Sequence, residues 1–181
     1  MHGAPFARIG AGAKFVVKEK RMHTEAKKSA IDPKLILPFV NSVRSVLATM
    51  AGFETTVQRP RVKVSPAPDY DYSGIIGFSG GIVGTVVVSF HRETAIKLVA
   101  AFAGAEVEPD TSDFADAIGE LTNMIAGAAK KDLGGAANIT VPSVVMGKGH
   151  TISRPSNIPC LVVPCITSAG EFAIEVSIKT A

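Results

Sequence analysis

Two apolar runs, each turned back on itself at glycine, constrain this chain more than any other feature. Residues 73–79 and 82–90 flank Gly80-Gly81, and residues 160–167 and 171–179 flank Ser168-Ala169-Gly170. Strands joined by so short a connection run antiparallel, because a parallel crossover needs a dozen residues or more. The last run alternates most cleanly. Phe172, Ile174, Val176 and Ile178 share one face; Glu171, Ala173, Glu175 and Ser177 share the other.

Two further stretches read as extended, and each contains a proline. In 54–65, Thr55, Thr56 and Val57 are followed by Val62 and Val64, and Pro60 breaks the strand or marks an edge. In 138–148, Ile139, Val141, Val144 and Val145 make a strand interrupted by Pro142. Residues 66–69 read as a turn, and Phe15-Val16-Val17 as one short strand.

Three helices accompany the strands. Asp32-Pro33 is a good helix start, with an acceptor side chain before a residue that needs no N–H partner. Pro38 allows two readings: the first turn ends there, or the main helix begins there. Phe39, Val40, Val43, Leu47 and Met50 then keep helical spacing up to Gly52. Residues 93–103 form a second helix, ended by Gly104. A third starts at cap candidates within Asp110-Thr111-Ser112-Asp113 and stops at Gly134-Gly135. No strand–helix–strand rhythm runs through the chain. The fold class is α+β: a mainly antiparallel sheet packed against about three helices in two layers.

A chain of 181 residues with 46% hydrophobic content suits one globular domain with a real core. Residues 1–30 read as a flexible N-terminal arm, as vector-derived residues or as a mis-assigned start with Met22 the truer beginning. Residues 31–181 read as the domain. The net charge of +3 is too small to argue for nucleic acid, and Lys14, Lys18, Lys20, Arg21, Lys27 and Lys28 supply much of the positive side. No apolar run reaches the roughly 20 residues of a membrane helix. Cys160 and Cys165 point to opposite faces of a strand and have no second pair, so they read as buried free thiols suited to a reducing cytoplasm. The glycines at 74, 77, 80, 81 and 84 lie between strands and lack the Gly-Lys-Ser/Thr ending of a phosphate loop. His91 and His150 flank strands and read as surface residues. No Gly-x-Ser-x-Gly elbow is present.

The third helix carries the candidate site. With Asp116 at zero and about 100° per residue, Glu120 falls near about 40°, Asn123 near about −20° and Gly127 near about 20°. Phe114, Ala117, Ile118, Leu121, Met124, Ile125 and Ala128 fall between about 80° and about 200°. The helix thus has a buried face and, beside it, a separate polar stripe. Most polar stripes are simply solvated. This one replaces the usual Lys and Glu with Glu and Asn, a poor helix former, and Gly127 in mid-helix costs about 1 kcal/mol against alanine.

The run Glu120-x-x-Asn123-x-x-x-Gly127, with Asp116 four residues before the glutamate, resembles the active-site helix of the CheC/CheX/FliY chemotaxis phosphatases. Residues 31–52, with Pro38-Phe39 near the start and Thr49-Met50 at the exit, are similar to that family's opening helix. A single such motif resembles the CheX-like branch. One departure is visible: Pro142 follows Asn123 somewhat earlier than the family's proline does.

The resemblance implies hydrolysis of the aspartyl phosphate on a CheY-like response regulator. Asn123 would orient the attacking water and Glu120 would accept an ion pair from a partner lysine, with Asp116 and Gly127 as supporting partner contacts. It implies no cofactor on this chain, Mg²⁺ on the partner, a homodimer and a cytoplasmic setting, with no nucleic acid or membrane involved. The alternative is a non-catalytic module that binds a response regulator or serves as an adaptor in a two-component complex.

Overall fold

A computed structural model describes residues 32–64, 70–134, 137–154 and 157–181. The expected N-terminal arm, the 15–17 strand and the 66–69 turn lie outside the described residues. The strands are β1 (Thr56–Val57), β2 (Arg61–Val62), β3 (Tyr72–Gly80), β4 (Ile82–Phe90), β5 (Ala137–Ile139), β6 (Ser143–Met146), β7 (Leu161–Thr167) and β8 (Gly170–Thr180). They form one sheet in the order β1-β7-β8-β4-β3-β5, with β2 also on β7 and β6 also on β3. Every pairing among them is antiparallel. Each proline-bearing stretch is split in two, and both halves of each pair with the same neighbour. Pro60 separates β1 from β2 at one edge, and 140–142 separates β5 from β6 at the other.

Three helices, α1 (Pro33–Val46), α2 (Arg92–Ala103) and α3 (Ser112–Asp132), cover one face of the sheet among the described residues. Phe39, Leu98, Phe114, Ile118 and Leu121 from the helices meet Ile76, Phe90, Phe172 and Ile174 from the strands in one core. Ring pairs stitch the layers: Phe39 lies edge-on to Phe78 at 5.7 Å, and Tyr72 tilts against Phe114 at 5.1 Å.

Neither expectation for Pro38 holds as stated. The helix starts at Pro33, capped by Asp32 accepting from the Lys34 N–H at 2.9 Å, and runs on through Pro38. The hydrogen bond that Pro38 cannot donate would end on the carbonyl of Lys34. That residue is exposed, so water can replace the bond. Past Val46 the helix widens into a π-turn over Leu47–Ala51 and stops at left-handed Gly52. The widened turn rotates Met50 off the buried face and leaves it 41% exposed.

The second face of β8 also departs from simple alternation. Ala173, Glu175 and Ser177 are buried there. The segment after β6 folds across them. Ile158 is buried, and the Ser177 hydroxyl donates to its carbonyl. Glu175 pairs with Lys63 at 2.7 Å and with Arg154. Cys160 Sγ lies 3.8 Å from the same carboxylate, while Cys165 packs in the core on the helix side, so the two thiols do sit on opposite faces.

Candidate functional site

The position of α3 is fixed at three points along its length. At its start, Thr111 caps the helix by accepting from the Phe114 N–H, and donates to the Glu108 carbonyl at 2.7 Å. Asp110, held at φ 65°, accepts from the Tyr72 hydroxyl and from Arg92, each at 2.7 Å. Burial first, and the Asp110 hydrogen bond second, push the Tyr72 phenol up to about 12. The first turns of α2 and α3 are thereby tied to the start of β3.

At mid-helix, α3 rides directly on the β3 backbone. A Cβ at Gly74 would stand 2.0 Å from Thr122 Oγ1, so only glycine permits this approach. Thr122 turns its hydroxyl back to the Ile118 carbonyl at 2.7 Å and leaves no donor unpaired. On the flank, a Cβ at Gly119 would lie 3.6 Å from Pro142 and 3.4 Å from Val144. Pro142 therefore packs against α3 despite its early spacing.

These contacts decide which way the polar stripe faces. Asp116 and Glu120 are exposed and Asn123 is half-exposed. All three line an open cleft of about 820 Å³, whose opposite wall is the β5–β6 break at Thr140, Val141 and Pro142. Among the described residues, none of the three side chains makes a hydrogen bond or ion pair. Gly127 lies further along the helix, outside the cleft lining. Beyond the helix's own adjoining backbone, no heavy atom of the described residues stands within 4 Å of where its Cβ would be.

The sequence-predicted residues Asp116, Glu120 and Asn123 thus come together. Gly119 and the 140–142 wall complete the cleft and were not foreseen as parts of it. The available signal was a second mid-helix glycine at 119, eight residues before Gly127.

Chemically the cleft offers two carboxylates and a carboxamide, and among the described residues no lysine, arginine, histidine or cysteine lines it. It can hold a cation, and it can orient water or an oxyanion through the amide. No group of three or more His, Cys, Asp or Glu side chains able to hold a metal lies among the described residues. No described helix is long and apolar enough to cross a membrane.

The histidines lie elsewhere. His91 is exposed, as expected, and its ring stands 4.7 Å from that of Tyr70. His150 corrects the expectation of a surface residue. It is half-buried, with Nε2 2.8 Å from the Ser73 hydroxyl and Nδ1 2.7 Å from the Gly147 carbonyl. The cause is the same segment that folds over the back of the sheet.

Comparison with known proteins agrees with this architecture. The family model "Chemotaxis phosphatase CheX" matches residues 72–166. The chain is 31% identical over 154 residues to the CheY-P phosphatase CheX of Thermotoga maritima, covering 83% of this chain and 99% of that protein. The crystal structure of a chemotaxis protein CheX from Desulfovibrio desulfuricans superposes with a TM-score of 0.75 at 35% identity, covering 82% of this chain and 99% of that one. The CheX of a CheX–CheY–BeF₃–Mg²⁺ complex from Borrelia burgdorferi shares the fold, with a TM-score of 0.67 at 23% identity over 80% of this chain and 97% of that one. The chain belongs to the CheX family of chemotaxis phosphatases.

Proposed function

We propose that this chain hydrolyses the aspartyl phosphate of a CheY-like response regulator, and that Asn123 and Glu120 carry the reaction. The observation that supports this most is the pair itself: adjacent side chains, one turn apart, open to a cleft and free of partners within the described residues. Phosphoryl transfer needs water placed in line with the leaving oxygen more than it needs a strong base. Asn123 cannot act as a base. Its carbonyl oxygen can accept from that water while its NH₂ donates to a phosphoryl oxygen. Glu120 accepts a charge-assisted hydrogen bond from a lysine of the receiver and fixes the register of docking. Asp116 extends the acidic surface toward the same partner. Gly127 leaves the helix backbone bare where the partner's surface passes.

The receiver brings the phosphoryl group and its Mg²⁺, so the metal chemistry belongs to the partner. The Borrelia CheX was crystallised with CheY, BeF₃ and Mg²⁺, and BeF₃ is a tetrahedral stand-in for the phosphoryl group. A cytoplasmic setting and a homodimer paired through sheet edges belong to the same proposal. Sedimentation of the purified chain checks the second.

The test is decay of phosphorylated receiver domains from the same cell. The wild-type chain accelerates it. Asn123→Ala loses about 10²-fold or more of that acceleration while the receiver still binds. No acceleration by the wild type on any of these receivers would leave only the adaptor reading.

A further inference from the structure

The cleft has a second wall, and that wall carries an apolar side chain held out in water. Val141 is 85% exposed. A single exposed valine is commonplace on any protein surface. Of the five large apolar side chains exposed among the described residues, however, Val141 alone lines the cleft of Asp116, Glu120 and Asn123.

Its loop is fastened on both sides. Before it, the Thr140 N–H donates to the Gly77 carbonyl at 3.0 Å, and Thr140 Oγ1 accepts from the Gly77 N–H at 3.0 Å. One residue thereby closes both bonds of the ladder with main chain and side chain. After it, Pro142 rests on Gly119. With both neighbours anchored, Val141 has little freedom to turn inward. The anchoring holds it across the cleft from the two carboxylates.

We propose that Val141 is the apolar docking contact for the phosphorylated receiver domain, the residue that sets how tightly this chain grips its substrate. The proposal rests on the phosphatase reading of the cleft. The charges of the cleft name the occupant: two carboxylates with no cation among the lining residues require a partner that presents a positive group. An apolar side chain at the rim requires that the same partner present an apolar patch one cleft-width away. A receiver whose active-site lysine stands beside apolar residues meets both demands. Inorganic phosphate or a free acyl phosphate meets neither. Val141 touches no reacting atom in this scheme, so its effect falls on KM and leaves kcat alone.

The test uses Val141→Asn and Val141→Ile in the full chain. Substrates are the phosphorylated receiver, and for binding the receiver activated with BeF₃ and Mg²⁺. Val141→Asn raises KM and Kd about tenfold, the loss expected when a buried valine gives way to a polar residue, with kcat within about twofold of wild type. Val141→Ile restores wild-type values. An unchanged KM and Kd in Val141→Asn overturns the proposal, and so does an equal fall in kcat. Asn123→Ala runs beside them. If the wild type does not accelerate decay but binds the activated receiver, the phosphatase reading fails, and the Kd series still decides Val141. If no receiver binds, both fall.

Discussion

Two glutamates in this molecule face opposite fates. Glu175 sits buried on the back of the sheet, gripped by Lys63 and Arg154. Glu120 stands exposed on α3 with no partner of its own among the described residues. The first cannot meet another molecule, and its two cations compensate the desolvation that burial imposes. The second makes no interaction that its loss would remove from the described fold, and the proposed docking of a receiver is what would give it a role. Engagement separates these two: Glu175 serves the scaffold, and Glu120 is free to meet a partner.

The sharpest way to break that contrast is Glu175→Ala. It strands two half-buried cations and should cost up to about 3 kcal/mol, read as a shift in the urea midpoint. Activity per folded molecule should stay at the wild-type level. Glu120→Ala should do the reverse. Stability stays within about 0.5 kcal/mol, while kcat/KM for the phosphorylated receiver drops about 10²-fold. If both variants lose stability together, the division between scaffold and site is wrong.

Gly127→Ala sharpens the contrast at smaller scale. Among the described residues the new methyl meets nothing beyond the helix's own adjoining backbone, so the helix should gain about 1 kcal/mol. A loss of activity beside that gain would identify Gly127 as a partner contact, and an unchanged rate would remove it from the site.

Cys160 reports on the buried cluster. Burial, against the opposing pull of Arg154, pushes its thiol up to about 11, so at pH 8 it stays protonated and reacts slowly with a thiol reagent. Glu175→Ala should expose it to rapid modification.

The smallest effect lies with Asp110. Its hydrogen bonds from Arg92, then from Tyr72, hold its carboxyl below the ordinary 3.8. The stability it adds is present above that value and fades as pH falls through the lowered one. Asp110→Asn should therefore flatten the acid limb of the stability profile.

The hairpins and the polar stripe were legible because each rests on a short-range period. Residues 82–90 pair with 172–180 over their whole length; the second strand shows it as alternation, the first as a β-branched run beside a glycine turn. The buried face of α3 was legible only in part. Phe114, Ile118, Leu121 and Ile125 announce themselves, but Gly119, Thr122, Ala126 and Ala129 are buried too. Small and polar residues carry little hydrophobic signal, and what buries them is a strand distant in sequence. The burial of the back face was not legible for a related reason. Glu175 and Ser177 look like solvent-side residues until the segment after β6 is folded over them. The cleft wall at Thr140–Pro142 belongs to the same class, since only the antiparallel placement of β5 and β6 beside β3 brings it alongside α3.

The missing side chain at Gly74 has a consequence for anyone who would transplant this machinery. The height of α3 is set from below, by bare main chain pressed against a threonine. A graft that copies Glu120 and Asn123 onto another scaffold but keeps an ordinary residue beneath them would lift the whole platform. In the proposed reaction both groups would then overshoot the phosphorus atom of the docked receiver.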